Sequence, residues 1–431
     1  MMVCHDAADP GLAKSLYHAV TDREADFPPV RDTRAEVVII GAGFTGLSTA
    51  LHLAEKGIDT IVLEAHDVGW GASGRNGGQV NPGLKSEPED LIADFGEDRG
   101  LRLIDLAGHA PSCLFDLVKR YEIECAALNS GTIRVVRKDV EAKLIDHSVN
   151  SWRAHGVELR RLSRADIAAI AGTEIYPCGL LDPRGGQLNP LAYVRGLARV
   201  ASRRGARIHT RSGVMALQRD GAGWQARTAS GSVRASTVVL ATNGYTDGLW
   251  PTLRKTVVPV YSALAATDPL PETLAARILP QRQVVYESSW RVLYFRVDDQ
   301  RRFLMGGPSV LRATDNERDY QHLIAYAREL YPALGDTAFT YFWNGQVAVT
   351  KDHYPHLHEP APGVIAALGY NGRGVAMATV MGRIVARRIL GAGQEDLELP
   401  ITDIKPFTFH SMWKPVVTGR RIVGALRDRF L

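Results

Sequence analysis

The sequence predicts an α/β protein in which one domain is built on a parallel sheet and a second domain of antiparallel strands is inserted into it. Three observations predict this fold class. A strand, a helix and a second strand follow one another in residues 36–65, and patterns of helix and buried strand return in residues 187–250 and 343–395. Between the last two segments, residues 251–342 contain short runs typical of antiparallel strands. The parallel-sheet domain is therefore predicted to be discontinuous.

The predicted domain limits lie where these patterns change. An N-terminal extension covers residues 1–33, and a C-terminal tail without a nucleotide-binding motif covers residues 396–431. Helices are expected early in the inserted domain, with a break at Pro111 because proline lacks a backbone donor. The parallel-sheet domain comprises residues 34–90, 187–250 and 343–395, and the inserted domain comprises residues 91–186 and 251–342.

Composition excludes several classes of partner. The 51 lysines and arginines nearly balance the 47 aspartates and glutamates and are scattered along the chain, so no nucleic-acid partner is expected. No apolar run approaches the length of a membrane span, and the N-terminus lacks the apolar core of a signal peptide. The 4 cysteines lack metal-ligand spacing, which is typical of a reducing compartment. We therefore expect a cytoplasmic protein without a membrane span; the sequence specifies no oligomeric state.

The first βαβ unit carries a dinucleotide-binding fingerprint. A buried strand at Val37–Ile40 runs into Gly41, Gly43 and Gly46, which have G-x-G-x-x-G spacing at the start of a helix. The three glycines allow a tight turn, close approach of a pyrophosphate and close packing of helix on strand. Glu64 ends the second strand, where its carboxylate can accept hydrogen bonds from ribose hydroxyls. A carboxylate repels a 2′-phosphate, so NADP is disfavoured.

A glycine-rich loop, "GWGASGRNGG" at residues 69–78, favours FAD over NAD as the bound dinucleotide. Glycine loses much conformational entropy on ordering, so an ordered run of this kind needs a partner. Ser73 and Arg75 offer donors, and Gly77 and Gly78 permit close approach of a ligand. A second loop of this kind after the ribose-binding strand fits an extended FAD better than NAD; the alternative is a flexible surface loop.

Later segments supply further parts of a dinucleotide site. "ARIHTRSGV" places Val214 just beyond another parallel strand, where its backbone can meet the adenine. "STVVLATNGY" ends in Gly244, beside the expected pyrophosphate. "GYNGRG" is predicted to be a turn before a helix that begins at Val375. The free N–H groups and positive dipole of that helix terminus would favour the negative charge of a reduced flavin ring.

Taken together, these motifs resemble one known family. "IIGAGFTGLSTALHLAEKG", "GWGASGRNGGQV", "WNGQVAVTKDHYPHL" and "GYNGRGVAMATVMG", with "SLYHA" at residues 15–19, look like the glycine/D-amino-acid oxidase superfamily, and within it the gamma-glutamylputrescine oxidase-like branch. The resemblance covers roughly residues 15–410. It implies a glutathione-reductase-type, Rossmann-like FAD-binding domain with an inserted antiparallel-sheet substrate domain.

The resemblance and the motifs together assign an FAD site along the chain. The expected cofactor-binding residues are Gly41, Gly43, Phe44, Thr45, Gly46, Glu64, Ala65, Gly71, Ala72, Ser73, Arg75, Asn76, Gly77, Gly78, Gln79, Val214, Ala241, Thr242, Gly244, Gly345, Gly369, Asn371, Gly372, Arg373, Gly374 and Val375. Some members of the superfamily attach flavin through a histidine in the loop after the ribose strand, where this chain has Gly71. Others use a cysteine near the C-terminal flavin loop, and no cysteine follows Cys178. We expect non-covalent FAD.

For such a family the expected reaction is oxidation of a small amine or amino acid. Hydride passes from the substrate carbon to flavin N5, water hydrolyses the imine to an aldehyde or keto acid, and O2 reoxidises the flavin to give hydrogen peroxide. The protein mainly supplies position and a dry face. The residues expected to shape the substrate site are Arg75, Tyr261, Tyr294, Trp343 and Arg373, with Arg296 as a carboxylate anchor. The histidines of "KDHYPHLHE" are expected to lie on an ordinary loop without metal.

Other functions are compatible with the same motifs. The fold could oxidise a 2-hydroxy acid and pass electrons to a quinone or a partner protein. It could be a flavin hydroxylase, which would need a pyridine nucleotide as reductant. It could also be a non-catalytic FAD-binding interaction protein. Residues and spacing alone reach an FAD oxidoreductase, and the resemblance favours an amine oxidase.

Overall fold

The computed structural model describes residues 15–22, 25–289 and 292–419 of the 431-residue chain. Its helices are α1 (Leu16–Val20), α2 (Phe44–Ala54), α3 (Pro88–Phe95), α4 (Glu97–Arg120), α5 (Ala142–Ala154), α6 (Arg164–Ala171), α7 (Pro190–Arg203), α8 (Pro251–Arg254), α9 (Glu272–Ala275), α10 (Gln321–Leu330) and α11 (Gly374–Ile389). Its strands are β1 (Thr33–Ile40), β2 (Thr60–Leu63), β3 (Gln79–Val80), β4 (Thr132–Val136), β5 (Arg160–Ser163), β6 (Cys178–Asp182), β7 (Gly186–Gln187), β8 (Arg207–His209), β9 (Ala216–Asp220), β10 (Gly223–Arg227), β11 (Ser232–Leu240), β12 (Val258–Thr267), β13 (Val284–Glu287), β14 (Tyr294–Val297), β15 (Phe303–Pro308), β16 (Phe339–Val349), β17 (His356–Ala361) and β18 (Val364–Leu368).

The first sheet contains the predicted parallel strands, and the antiparallel strands β9, β10 and β17 extend it. Its order is β17-β18-β11-β1-β2-β8, and β1 lies parallel to both β2 and β11. Residues 37–40 of β1 are buried on both faces of the sheet, which explains why the sequence has one continuous apolar run there. The second strand falls at Thr60–Leu63 as predicted, whereas β1 begins four residues before the predicted Val37. Helices α2, α7 and α11 pack beside this sheet, with α2 in contact with both of the others.

The second sheet has the order β16-β12-β15-β14-β13-β4-β6-β5 and is antiparallel except where β4 and β13 run parallel. The predicted α/β fold with an inserted antiparallel-sheet domain is therefore confirmed. One boundary differs, because β16 pairs with β12 over most of its length. Residues 343–349 thus belong to the second sheet and not to the parallel-sheet segment predicted from residue 343. The alternation of apolar and polar residues in this segment is compatible with either sheet. Only the strand with which the segment pairs shows to which sheet it belongs.

The predicted helix break at Pro111 is wrong. Helix α4 runs without interruption from Glu97 to Arg120, with Pro111 inside it. Proline cannot donate to the carbonyl four residues earlier, which belongs to Ala107. In the structure the backbone N–H of Gly83 donates to that carbonyl at 2.9 Å. A partner from another segment therefore replaces the missing helical hydrogen bond.

Helix termini follow the sequence signals. Asn189 caps α7, and its side chain accepts hydrogen bonds from the backbone N–H groups of Leu191 and Ala192. Helix α11 begins at Gly374, one residue before the predicted start.

Across the described ranges, no helix combines the length and apolar character needed to cross a bilayer.

Candidate functional site

A cavity of about 1770 Å³ lies between the two sheets. It is lined by the turn after β1, the residues that follow β2, the glycine-rich loop at 69–78, the turn before α11, and residues of β12, β13 and β14. Pockets for a single small ligand measure roughly 300–1,000 Å³, so this volume has room for a dinucleotide and a second molecule. Its position at the carboxyl ends of β1 and β2 is where ligands bind in parallel α/β sheets.

The turn between β1 and α2 requires its glycines. Gly41 has a φ of 110°, and a Cβ there would lie 2.9 Å from the carbonyl oxygen of Ala241. A Cβ at Gly46 would collide with the carbonyl oxygen of Gly41, so the helix could not approach the strand as closely. The N–H of Phe44, at the first turn of α2, donates to Ser73 Oγ at 2.9 Å. This helix terminus has the geometry that binds phosphate groups.

Glu64 lies in the cavity wall directly after β2. Its carboxylate oxygens accept hydrogen bonds from the backbone N–H groups of Ala42 at 2.8 Å and His66 at 3.0 Å. Burial raises the pKa of the Glu64 carboxyl, and these N–H donors oppose the increase. A carboxylate held in this way presents its remaining lone pairs to a hydroxyl-bearing ligand.

The glycine-rich loop is ordered around Arg75 and Trp70. The guanidinium of Arg75 lies 4.8 Å from the centre of the Trp70 ring and donates from Nε to the Trp70 carbonyl at 2.6 Å. Arg75 is only 7% exposed. Among the described residues, neither its Nη2 nor the indole Nε1 of Trp70 has a hydrogen-bond partner. Both residues line the cavity, so these buried donors fit an acceptor-rich ligand such as FAD.

The turn before α11 closes another part of the cavity. Asn371 and Gly372 have positive φ values of 52° and 88°. These backbone angles turn the chain towards the helix that begins at Gly374. The guanidinium of Arg373 lies 4.7 Å from the centre of the Tyr286 ring and donates to the Tyr286 hydroxyl at 2.8 Å. The N-terminus of α11 and the Arg373 cation therefore make this wall electropositive.

Two predicted tyrosines face the cavity from the second sheet. The amide of Gln346 donates to the hydroxyl of Tyr261 at 2.8 Å. The hydroxyl of Tyr294 lies 2.8 Å from Ser262 Oγ, and burial raises its pKa. The Tyr294 ring packs so closely on Gly77 that a Cβ there would lie 2.6 Å from it. These side chains form an uncharged wall opposite the glycine-rich loop.

Arg296 and Trp343 do not line the cavity, contrary to the prediction that they shape the substrate site. Arg296 is 3% exposed and donates to the carbonyl of Gly77 at 2.7 Å and to Gln187 Oε1 at 2.6 Å. Trp343 is fully buried and donates from Nε1 to the carbonyl of Arg75 at 2.9 Å. Both bind the outer side of the glycine-rich loop, so Arg296 is not placed to anchor a substrate carboxylate.

Most of the predicted cofactor residues meet at the cavity, while Gly46, Gly78, Gly244 and Gly369 lie outside its lining. The glycines outside it pack against protein, as a Cβ at Gly78 would lie 2.8 Å from Arg296 Nη2. The predicted residues that line the cavity are Gly41, Gly43, Phe44, Thr45, Glu64, Ala65, Gly71, Ala72, Ser73, Arg75, Asn76, Gly77, Gln79, Val214, Ala241, Thr242, Tyr261, Tyr294, Gly345, Asn371, Gly372, Arg373, Gly374 and Val375.

Sequence reasoning missed several residues of the cavity wall. Trp70 and Tyr245 pack edge to face with their ring centres 5.4 Å apart, and both line the cavity. Lys85 and Arg134 also line it, from the loop after β3 and from β4. The aromatic residues flank the glycine-rich motif and could have been suspected from it. Lys85 and Arg134 belong to none of the sequence motifs, and only the folding of the chain brings them to the cavity.

The histidines after β16 were expected on a loop, but His356 and His358 lie on β17, and His358 is buried. His356 Nε2 lies 3.0 Å from the Asp352 carboxylate, and His358 Nδ1 lies 2.6 Å from the carbonyl of Thr402. Over the described part of the chain, no three histidine, cysteine or acidic side chains are grouped to hold a metal ion. Near His356, the pKa of Asp352 is about 2, because the histidine and backbone donors outweigh burial.

Comparison with known proteins gives a consistent result. The family model DAO, described as FAD dependent oxidoreductase, matches residues 36–388. The chain is 31% identical to a probable oxidoreductase, OrdL, of Haemophilus influenzae, over 96% of this chain and 95% of that protein. It is 30% identical to the gamma-glutamylputrescine oxidoreductase of Escherichia coli, over 88% and 89% of the two chains. Glycine oxidase from Geobacillus kaustophilus superposes with a TM-score of 0.71 at 20% identity, over 84% of this chain and 95% of that one, which supports the fold.

Proposed function

The chain belongs to the DAO family of FAD-dependent oxidoreductases, and we propose that it oxidises a small primary or secondary amine or amino acid of the gamma-glutamylputrescine type. The observation that carries this proposal is the single cavity that joins the dinucleotide-type turn to the wall of the second sheet. One molecule can lie along the parallel sheet while another meets Tyr261 and Tyr294. The E. coli gamma-glutamylputrescine oxidoreductase, similar over most of the chain, supports the choice of substrate.

We propose that the cavity residues hold FAD without a covalent bond. The N-terminus of α2 and Ser73 would bind the pyrophosphate, Glu64 the ribose, and Val214 the adenine. Arg75 and the N-terminus of α11 would face the flavin ring and favour its reduced, negatively charged form. Within the described residues no cysteine lines the cavity, and residues 69–78 contain no histidine.

Bound FAD would supply the redox chemistry, taking hydride at N5 from the carbon that bears the amine and passing the electrons to O2 to give hydrogen peroxide. The protein's own contribution is electrostatic and steric. The cations Arg75 and Arg373 line the cavity and oppose a protonated ammonium close to them, which favours the neutral amine with its lone pair at that position. Tyr261 and Tyr294 shield the reacting carbon from water. The released imine is hydrolysed to an aldehyde or keto acid.

We also propose a cytoplasmic location, which the thiols support. Cys113, Cys125 and Cys178 are free, and two of the three are buried. Burial raises the pKa of the Cys125 thiol to about 12, so this residue is unreactive at neutral pH.

The proposal is tested on the purified protein in two steps. Acid precipitation should release a yellow supernatant, which would establish non-covalent FAD. Anaerobic addition of gamma-glutamylputrescine, sarcosine, proline and taurine should bleach the flavin absorption with at least one amine, and air should restore it with release of hydrogen peroxide. A colourless protein that takes up no FAD would refute the cofactor assignment. A yellow protein bleached only by 2-hydroxy acids or by NAD(P)H would refute amine oxidation.

A further inference from the structure

The N-terminal helix α1 lies behind the glycine-rich loop at residues 69–78. Tyr17 on this helix is 1% exposed, and its hydroxyl accepts a hydrogen bond from Arg296 Nη2 at 3.2 Å. Its ring packs edge to face against Trp343, with ring centres 5.1 Å apart. Helix α1 therefore contacts both side chains that bind the outer side of the loop. It lies outside residues 36–388, which the family model matches.

Arg296 and Trp343 transmit this contact to the backbone of the loop. Arg296 Nε donates to the carbonyl of Gly77 at 2.7 Å, and Trp343 Nε1 donates to the carbonyl of Arg75 at 2.9 Å. Both carbonyls belong to residues that line the cavity. Arg296 and Trp343 are buried, so the loss of a hydrogen-bond partner would be costly for either. The position of the loop thus depends on two side chains, and both of them pack on Tyr17.

The chain that follows α1 is fastened to the parallel-sheet domain. The side chain of Asn189, which caps α7, donates to Thr21 Oγ1 at 3.0 Å. The guanidinium of Arg195 on α7 donates to the carbonyl of Asp22 at 2.6 Å. Because these hydrogen bonds fix the end of α1 and the side chain of Tyr17 is buried, Tyr17 is held in a defined position.

The loop gains from such support because five of its ten residues are glycines. Glycine loses much conformational entropy when the chain becomes ordered. A loop that is ordered before its ligand binds does not lose this entropy in the binding step, so the affinity is higher. Arg75 Nη2 and Trp70 Nε1 have no hydrogen-bond partner among the described residues, and both side chains line the cavity. Support from the outer side leaves these donors available to a ligand.

We propose that Tyr17 is a positioning residue of the cofactor site: through Arg296 and Trp343 it holds the glycine-rich loop in the conformation that binds FAD. This inference rests on the proposed function, which assigns the loop to FAD. Tyr17 does not line the cavity, so it acts through the two side chains that it contacts. The N-terminal helix, which lies outside the dinucleotide-binding fingerprint, is thereby part of the FAD site.

The test measures the affinity for FAD and the order of the loop in the FAD-free protein. The variants are Tyr17→Phe, which keeps the ring and removes the hydroxyl, and Tyr17→Leu, which removes both. The matched control is Tyr331→Phe. The Tyr331 hydroxyl donates to the carbonyl of Ala171 at 2.7 Å, and the residue is buried in the core of the second sheet, outside the cavity lining.

FAD affinity is measured by fluorescence titration. Tyr17→Phe should weaken FAD binding about tenfold, because the hydrogen bond from the Arg296 guanidinium loses its acceptor. Tyr17→Leu also loses the ring contact with Trp343 and should weaken binding by about 20- to 100-fold. Tyr331→Phe should bind FAD within about twofold of the wild type, whereas a merely stabilising role for Tyr17 would make the two phenylalanine variants alike. Equal FAD affinity in the wild type and the Tyr17 variants would overturn the inference. If Tyr17→Leu does not fold, Tyr17→Phe decides.

Amide hydrogen exchange, followed by mass spectrometry, tests the loop without FAD. The N–H of Arg75 donates to the carbonyl of Ala72 at 3.2 Å, so it is protected while the loop is ordered. In the Tyr17 variants the peptide covering residues 69–78 should exchange about tenfold faster, and the peptide covering β11 should not change. Equal acceleration in both peptides would indicate general destabilisation and overturn the inference. If the wild type takes up no FAD but only the loop loses protection in the variants, the support of the loop by Tyr17 stands and the proposed cofactor fails.

Discussion

Gly41→Ala tests the dinucleotide turn at the residue that the structure constrains most plainly. Alanine at a φ of 110° adopts backbone that L-residues rarely occupy, at a cost of roughly 1–3 kcal/mol. Its Cβ would also lie 2.9 Å from the carbonyl oxygen of Ala241, whereas ordinary contacts begin at 3.4 Å. Ala241 cannot easily retreat, because its N–H donates to the carbonyl of Ile40 at 2.9 Å in the parallel sheet. Overpacking of this kind adds about 1–3 kcal/mol.

We therefore expect Gly41→Ala to lower the free energy of unfolding in urea by about 2–6 kcal/mol. The backbone shift also displaces the turn that leads to the N-terminus of α2, so FAD should bind at least about tenfold more weakly by flavin fluorescence. The control is Gly57→Ala, which has a φ of 76° but no atom within 4 Å of the added Cβ. It should cost about 1–2 kcal/mol of stability and leave FAD affinity unchanged. If Gly41→Ala binds FAD as tightly as the wild type, the assignment of this turn is wrong.

Further predictions concern the cavity wall and one thiol. Arg75→Met removes the buried donor beside Trp70 and should weaken FAD binding about tenfold by fluorescence titration; unchanged affinity would show that Arg75 only orders the loop. Tyr294→Phe removes the hydrogen bond to Ser262 and should lower the free energy of unfolding in urea by about 1 kcal/mol. An unchanged free energy of unfolding would show that this hydrogen bond does not stabilise the fold. Cys125 should resist iodoacetamide in the native protein at pH 8, as measured by peptide mass spectrometry, and rapid labelling would contradict its burial.

The features that the sequence predicts well depend on residues that are close together in the sequence. The turn at Gly41 and the strand at Thr60–Leu63 are encoded within one βαβ unit, so spacing and apolar runs suffice to predict them. The cap at Asn189 is equally local. The resemblance to the DAO family, confirmed over residues 36–388, then extended these local features to the whole fold.

The features predicted poorly depend on partners distant in the chain. Pro111 lies within a helix because the N–H of Gly83 donates a hydrogen bond to the carbonyl of Ala107. No pattern in the sequence near Pro111 predicts that contact. Arg296 was a reasonable carboxylate anchor by residue type, but its orientation toward the Gly77 carbonyl follows from tertiary packing.

The central claim, FAD-dependent oxidation of an amine, is tested most directly by rapid anaerobic mixing of the yellow protein with gamma-glutamylputrescine or with lactate. The absorbance of the flavin is followed in both reactions. We expect rapid bleaching by the amine, little or none by the hydroxy acid, and recovery of the colour when O2 is admitted. Bleaching by lactate alone, with the amine inert, would contradict it.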